Sequence, residues 1–152
     1  MKRVFLDTNI FVSGLLEVSA DSACRDILVA LANRRPRFGV TAWHCCLEFF
    51  SVTTRLPPDY RLSAETAIAL LTEHVFNRVD VVDLKVEDAV AWLTNQAASK
   101  IRGGLIYDAH LAQIAARAGC AAVVTQDIAD FRLVAPPGVE ILSPQQFVDR
   151  MA

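Results

Sequence analysis

The chain has 152 residues, 53% hydrophobic and 21% charged, which excludes a disordered chain and predicts one globular domain with one core. Its formal net charge is −2, which excludes a protein that holds nucleic acid by an overall basic charge, because phosphate neutralisation supplies most non-specific affinity. Any role on nucleic acid must therefore depend on a local basic rim or on bound metal ions.

Apolar runs alternate with amphipathic segments along the whole chain. Short apolar runs predict strands at 4–6, 38–40, 79–84, 121–125 and 139–141. Helical spacing of apolar residues predicts helices at 10–16, 21–34, 41–55, 87–99 and 106–118, with two more that begin at 63 and 143. Such alternation favours parallel pairing through right-handed crossovers. We therefore predict an α/β fold, a three-layer α/β/α sandwich around a mostly parallel sheet of four to five strands, with residues 1–152 as a single domain.

Several residues mark the ends of these predicted helices. Thr41 is expected to cap the helix that runs to Arg55. Ser143 and Gln146 have the spacing of a capping box, and Gly119 is placed to end the preceding helix. These signals fix where the polar loops of the domain begin.

The compartment is indicated by the cysteines and by the N-terminus. Asp7 and Asn9 interrupt the first apolar run, which argues against a signal peptide, and no run reaches the roughly 18 apolar residues of a membrane span. The cysteines form no C-x-x-C pair, so buried free thiols in a reducing compartment are expected rather than a zinc site. They are Cys24, Cys45, Cys46 and Cys120. We predict a cytoplasmic protein with no membrane segment.

Two aspartates follow predicted strands directly. Asp7 comes after the first strand and Asp127 after the fourth. Ligands of an open parallel sheet bind outside the carboxyl ends of its strands, so both carboxylates are expected at one edge. Each aspartate could equally cap the helix that follows it.

Two further acids lie in predicted helices. Glu48 is surrounded by apolar residues, where an ionised carboxylate needs a compensating partner; the alternative is a solvated stripe shared with Ser51 and Arg55. Asp108 follows the flexible pair Gly103 and Gly104, and it could instead serve only as an acid at a helix N-terminus.

Four carboxylates that share one pocket repel one another unless a cation is bound. Mg²⁺ or Mn²⁺ suits oxygen ligands of this kind, and such ions catalyse phosphodiester hydrolysis. His110 is near Asp108 in sequence, but a lone histidine on a helix is weak evidence for a ligand. The sequence contains neither a Ser-His-Asp order nor a glycine-rich phosphate loop that would indicate other chemistry.

Over essentially its full length the chain resembles PIN-domain proteins, in particular VapC-like toxin ribonucleases. The resemblance lies in VFLDTN at 4–9, the helical Glu48, GGLIYDA at 103–109, and TQD at 125–127 followed by Asp130 and Phe131. The order of these motifs, together with the strands and helices that carry them, makes the resemblance specific.

The resemblance implies an endoribonuclease dependent on Mg²⁺ or Mn²⁺, in which four acids are both catalytic residues and metal ligands. These are Asp7, Glu48, Asp108 and Asp127. It further implies that Asn9 and Thr125 support the site, with Asp130 as a third candidate. It also implies a homodimer and a small antitoxin partner whose tail covers the active groove.

The substrate would be RNA, and three basic residues near the motifs are candidates for its binding. They are Arg55, Lys100 and Arg102. The region from Leu56 to Val82 carries no motif of the family, so its helix is expected to be specific to this branch.

Other functions remain as alternatives. A phosphatase of the haloacid dehalogenase type needs a second aspartate where this chain has Asn9, and a receiver domain needs a lysine beyond Lys100, so both are disfavoured. A catalytically silent PIN-like module that binds RNA or protein, and a housekeeping PIN nuclease that is not a toxin, remain open.

Overall fold

The computed structural model describes residues 1–152 and contains one five-stranded sheet. Every neighbouring pair of strands is parallel, and the strand order is β3-β2-β1-β4-β5. The strands are β1 (Val4–Leu6), β2 (Gly39–Ala42), β3 (Asp80–Val82), β4 (Ala122–Val124) and β5 (Glu140–Leu142). From β1 the strands continue through β2 to β3 at one edge of the sheet, and from β4 they continue to β5 at the other edge. The junction between these central strands is therefore the switch point, where open α/β sheets bind ligands.

Eight α-helices connect and flank these strands. They are α1 (Thr8–Leu15), α2 (Ser22–Asn33), α3 (Trp43–Thr54), α4 (Ala64–Leu71), α5 (Val86–Asn95), α6 (Leu105–Arg117), α7 (Ile128–Val134) and α8 (Pro144–Met151). A π-helical turn, Thr72–Phe76, continues α4, and short 3₁₀ turns lie at Glu17–Ser19 and Gln96–Ala98. The predicted three-layer α/β/α fold with a parallel sheet is confirmed.

The two faces of the sheet bury separate apolar clusters. Val4 and Leu6 point into a cluster with residues of α1, α2, α3, α4 and α8, whereas Phe5 points into a cluster with α6 and α7. Successive side chains of a strand alternate between its faces, so a strand covered on both sides must be apolar at every position. This explains why β1 reads as an uninterrupted apolar run. The four cysteines are buried free thiols, as expected.

Most helices begin and end at the predicted signals, but one predicted cap and one helix differ. Ser143 and Gln146 form the predicted capping box, and Gly119 has a φ of 72° at the end of α6. Thr41, however, lies inside β2 and donates its hydroxyl to the carbonyl of Leu6, so the prediction that it caps α3 was wrong. Helix α7 was not predicted, because its apolar residues occupy only two turns. No helix of this chain is long and apolar enough to cross a membrane.

Candidate metal centre

Asp7 occupies the turn between β1 and α1 and is 6% exposed. One carboxylate oxygen, Oδ1, accepts a hydrogen bond from the backbone N–H of Thr8 at 2.8 Å, so Asp7 caps α1 as well. The other oxygen, Oδ2, accepts from the Thr125 hydroxyl at 2.7 Å and from the Asn9 amide at 3.0 Å. Thr125 follows β4 and is fully buried. These contacts fix the carboxylate at the junction of β1 and β4.

Asn9 connects Asp7 to the polar residues that follow β4. Its Nδ2 lies 3.0 Å from Asp7 Oδ2, 3.3 Å from Asp127 Oδ2 and 3.3 Å from Thr125 Oγ1. Its Oδ1 accepts a hydrogen bond from the backbone N–H of Gln126 at 3.1 Å. The carboxylates of Asp7 and Asp127 are thus within hydrogen-bonding distance of one amide group. Two residues 120 positions apart in the chain meet at the same sheet edge, as the parallel topology requires.

Glu48 reaches the same edge from α3. Its Oε2 accepts a hydrogen bond from the Thr8 hydroxyl at 2.9 Å and lies 4.0 Å from His44 Nε2. Of the two expectations for Glu48, the structure favours solvent exposure over burial, because its side chain is 46% exposed. Glu48 therefore lies on a solvated stripe of the helix and faces the acidic site from there.

Asp108 approaches from the opposite layer, in the first turn of α6. Gly103, with a φ of 58°, turns the chain before this helix, which is the left-handed conformation that glycine tolerates best. Burial and the negative charges of Asp130, Asp127 and Glu48 raise the pKa of Asp108. Asp130, an exposed residue of α7, is thus near enough to Asp108 to act on it electrostatically.

Burial, and to a smaller extent the charges of Glu48 and Asp127, raise the pKa of Asp7 to about 7 against the opposing hydrogen bonds from Thr125 and Thr8. The carboxylate is removed from water and faces other carboxylates, so its ionised form is disfavoured. A cation bound to the Asp7 carboxylate would offset both the loss of water and the repulsion by the neighbouring carboxylates.

The four predicted acids line one cavity of about 700 Å³ outside the carboxyl ends of β1 and β4. Arg55, one of the three predicted substrate contacts, lies in its wall. Lys100 and Arg102 do not line it; the guanidinium of Arg102 donates to the backbone carbonyls of Ser99 and Ile101. Other residues of the wall are Thr8, Asn9, Val12, His44, Val52, Gly104, Tyr107 and Leu111.

Three of these wall residues were not recognised in the sequence. Thr8 donates hydrogen bonds to both Asp7 and Glu48, a role that its place in the VFLDTN motif does not reveal. His44 and Tyr107 stack on one another across the cavity. The available signal was their position in the sequence: His44 lies one helical turn before Glu48, on the same face of α3, and Tyr107 belongs to the motif that contains Asp108.

The donor set suits a hard divalent cation. Carboxylate, hydroxyl and amide oxygens are the ligands that Mg²⁺ and Mn²⁺ prefer, and the desolvated carboxylate of Asp7 gains most from a positive charge. No three histidine, cysteine or acidic side chains are already grouped closely enough to hold an ion. Instead, Thr8 and Asn9 lie between the carboxylates and hydrogen-bond to them. The residues fit such a cation in chemistry and in their common cavity.

Comparison with known proteins agrees with this description. Residues 3–129 match the family of the PIN domain. A chain of VapBC2 from Rickettsia felis, in a complex with a DNA fragment from their promoter, superposes with a TM-score of 0.61 and 18% identity, over 92% of this chain and 97% of that one. A chain of FitAcB from Neisseria gonorrhoeae superposes with a TM-score of 0.61 and 17% identity, over 93% of this chain and 98% of that one. A chain of FitAB bound to an IR36 DNA fragment superposes with a TM-score of 0.59 and 16% identity, over 93% of this chain and 94% of that one. No curated protein sequence matches significantly.

The parallel sheet, and a polar site at its switch point, define the class as an α/β protein of PIN type. The chain belongs to the PIN-domain family, because the match to that family covers most of its length. The VapC-like resemblance drawn from the sequence is confirmed at the level of the fold.

Proposed function

We propose that this protein is an endoribonuclease that depends on Mg²⁺ or Mn²⁺ and hydrolyses RNA phosphodiester bonds. One observation carries the proposal: four carboxylates from four separate elements line a single cavity at the switch point, and the most buried of them is strongly desolvated. Desolvating a carboxylate beside other carboxylates costs stability, so a site of this kind is expected to serve a function that uses a cation.

Asp7, Glu48, Asp108 and Asp127 are the residues that would hold the cation. When bound, it would activate water and stabilise the negative charge that develops on the phosphodiester. The protein contributes the orientation: Thr125 and Asn9 hold Asp7, and Thr8 holds Glu48. Asp130, which acts on Asp108 through its charge, is proposed as a supporting acid.

Arg55 is the basic residue best placed for the RNA backbone, since it lies in the wall of the acidic cavity. A guanidinium there can pair with a phosphate that the carboxylates would otherwise repel. Lys100 and Arg102 are proposed to contact more distant phosphates, because they flank the glycines that precede Asp108 but do not line the cavity.

The decisive experiment is a cleavage assay on tRNA, rRNA and mRNA with Mg²⁺, with Mn²⁺ or with EDTA. We expect cleavage with either metal and none in EDTA, because the carboxylates cannot bind a phosphodiester without a cation. Full activity in EDTA would refute the metal site. RNA binding without cleavage under any condition would identify a silent binding module.

A cellular role as the toxin of a type II toxin–antitoxin pair is also proposed. It is supported by the VapC-like motifs of the sequence and by the structural likeness to VapBC2 and FitAB chains. The partner would be a small antitoxin protein, and the site of action the cytoplasm. Arrest of growth on induced expression is the readout of this role; harmless expression of an active enzyme would indicate a housekeeping nuclease.

We further propose a homodimer that pairs through α5. This helix buries none of its residues and exposes Val86, Val90 and Leu93 along one face. Apolar side chains at such spacing are typical of a helix covered by a partner.

Val90→Glu is expected to convert the dimer to a monomer, because it places a charge inside the apolar contact. Sedimentation or light scattering of the purified protein measures this directly. Val29→Glu on α2 is the matched control, since Val29 and Val90 are both 58% exposed. A wild-type protein that is monomeric at every concentration would contradict the proposal, as would dissociation by the control.

A further inference from the structure

We propose that Tyr107, stacked on His44, forms a nucleobase-binding subsite beside the acidic cavity, which seats one unpaired base of a single-stranded RNA. This inference rests on the proposed function, because it assigns a contact for the substrate of the same site. The ligand class is an exposed purine or pyrimidine ring, bound by its flat face.

The two rings form a parallel stack between helices. Their centroids are 5.7 Å apart and their planes differ by 9°. His44 belongs to α3 and Tyr107 to α6, so the stack joins the same two helices that supply Glu48 and Asp108. His44 and Glu48 are one helical turn apart, and Tyr107 and Asp108 are adjacent. Both rings and both carboxylates line the same cavity.

Much of the stack remains open to solvent. Tyr107 is 59% exposed although one face of its ring meets His44. An accessible aromatic surface at the cavity wall is therefore available for a ligand.

The charge of the site explains why a stacking contact would be useful. The chain carries a net charge of −2 and the cavity is lined by carboxylates, so general attraction to phosphate is weak. Stacking does not depend on charge, and it binds unpaired bases in single strands with little preference for sequence. A base held on Tyr107 would keep an adjacent phosphate over the carboxylates.

The test compares the binding of two decamer RNA strands, one that contains 2-aminopurine and one that has an abasic position in its place. Binding is measured in Ca²⁺ buffer, and a gel checks that the strands stay intact. Stacking quenches 2-aminopurine fluorescence. We expect the wild type to bind the base-containing strand more tightly than the abasic one, and Tyr107→Ala to lose roughly tenfold in affinity for the former alone. Tyr107→Phe should retain the affinity, and His44→Ala should weaken it.

Tyr60→Ala is the matched control, because Tyr60 is 53% exposed and lines a different cavity. Melting temperatures should change by less than about 3 °C in the Tyr107 variants, since the ring is largely exposed. Equal affinity of Tyr107→Ala and wild type for the base-containing strand would overturn the subsite. Equal quenching of the 2-aminopurine fluorescence by the two proteins would overturn it as well. The stack would then be a surface for a protein partner or a contact between helices. Cleavage with Mg²⁺ is measured separately, so loss of the proposed activity and loss of the subsite are distinguishable.

Discussion

Asp7→Asn is expected to abolish RNA cleavage, with a fall in turnover of roughly a thousandfold or more, because removing a charge that anchors the cation forfeits several kcal/mol of transition-state stabilisation. The substitution keeps the size of the side chain, and the new Oδ1 can still accept from the Thr8 N–H, so the cap of α1 survives. The same variant should lose the growth arrest expected of a toxin. Initial rates on a labelled RNA with saturating Mn²⁺ measure the first effect, and colony growth after induction measures the second.

Asp26→Asn is the matched control for this prediction. Asp26 is an exposed residue of α2 and does not line the acidic cavity. The Asp26→Asn variant should keep the activity of the wild type. This result would show that the loss of activity in Asp7→Asn arises from the position of the charge and not from the net charge. Unchanged turnover by Asp7→Asn would count decisively against a role of Asp7 in the chemistry.

The second large effect concerns stability without metal. Burial raises the pKa of Asp7 from 3.8 to about 7, so the folded protein binds a proton that the unfolded chain has already released. The wild type should therefore lose stability relative to Asp7→Asn as the pH rises from about 4 to about 7, by about 1.4 kcal/mol per pH unit, and no further above pH 7. At pH 8 the free energy of unfolding of Asp7→Asn should then exceed that of the wild type by on the order of 4 kcal/mol. Any hydrogen bond that asparagine fails to make to Thr125 or Asn9 reduces this difference.

Urea denaturation in EDTA at several pH values checks this dependence. Asp26→Asn should show no such trend, because Asp26 is exposed. Mg²⁺ or Mn²⁺ at pH 8 should stabilise the wild type more than Asp7→Asn, since a ligand that binds only the folded state adds to its stability. A pH-independent difference between wild type and Asp7→Asn would mean that Asp7 is not desolvated as the structure indicates.

Local patterns in the sequence were sufficient for most of the fold. Continuous apolar runs such as 4–6 require a strand covered on both faces, and Ser143 with Gln146 defines a helix start by hydrogen bonds within four residues. These features depend on neighbours in the chain, so they can be read without coordinates. The placement of Asp7 and Asp127 at one edge followed as well, because parallel strands have their carboxyl ends together.

Features that depend on distant neighbours were not accessible in this way. Thr41 has the composition of a cap, but its hydroxyl is satisfied by the carbonyl of Leu6 on the adjacent strand. The apolar neighbours of Glu48 in sequence left open whether it is buried or solvated, and only the packing of α3 on the sheet places it toward solvent and the cavity. The stack of His44 on Tyr107 joins residues of two helices from opposite sides of the sheet edge.

By itself, then, the sequence determined the alternation of strands and helices, the parallel sheet and which acids follow its strands, because periodicity and capping act over a few residues. Only the tertiary structure decided how those acids are held, by Thr8, Asn9 and Thr125, and which ring lies beside them. The physical reason is that desolvation and hydrogen bonding at the site depend on groups more than a hundred residues apart, which only the packing of the helices on the sheet brings into contact.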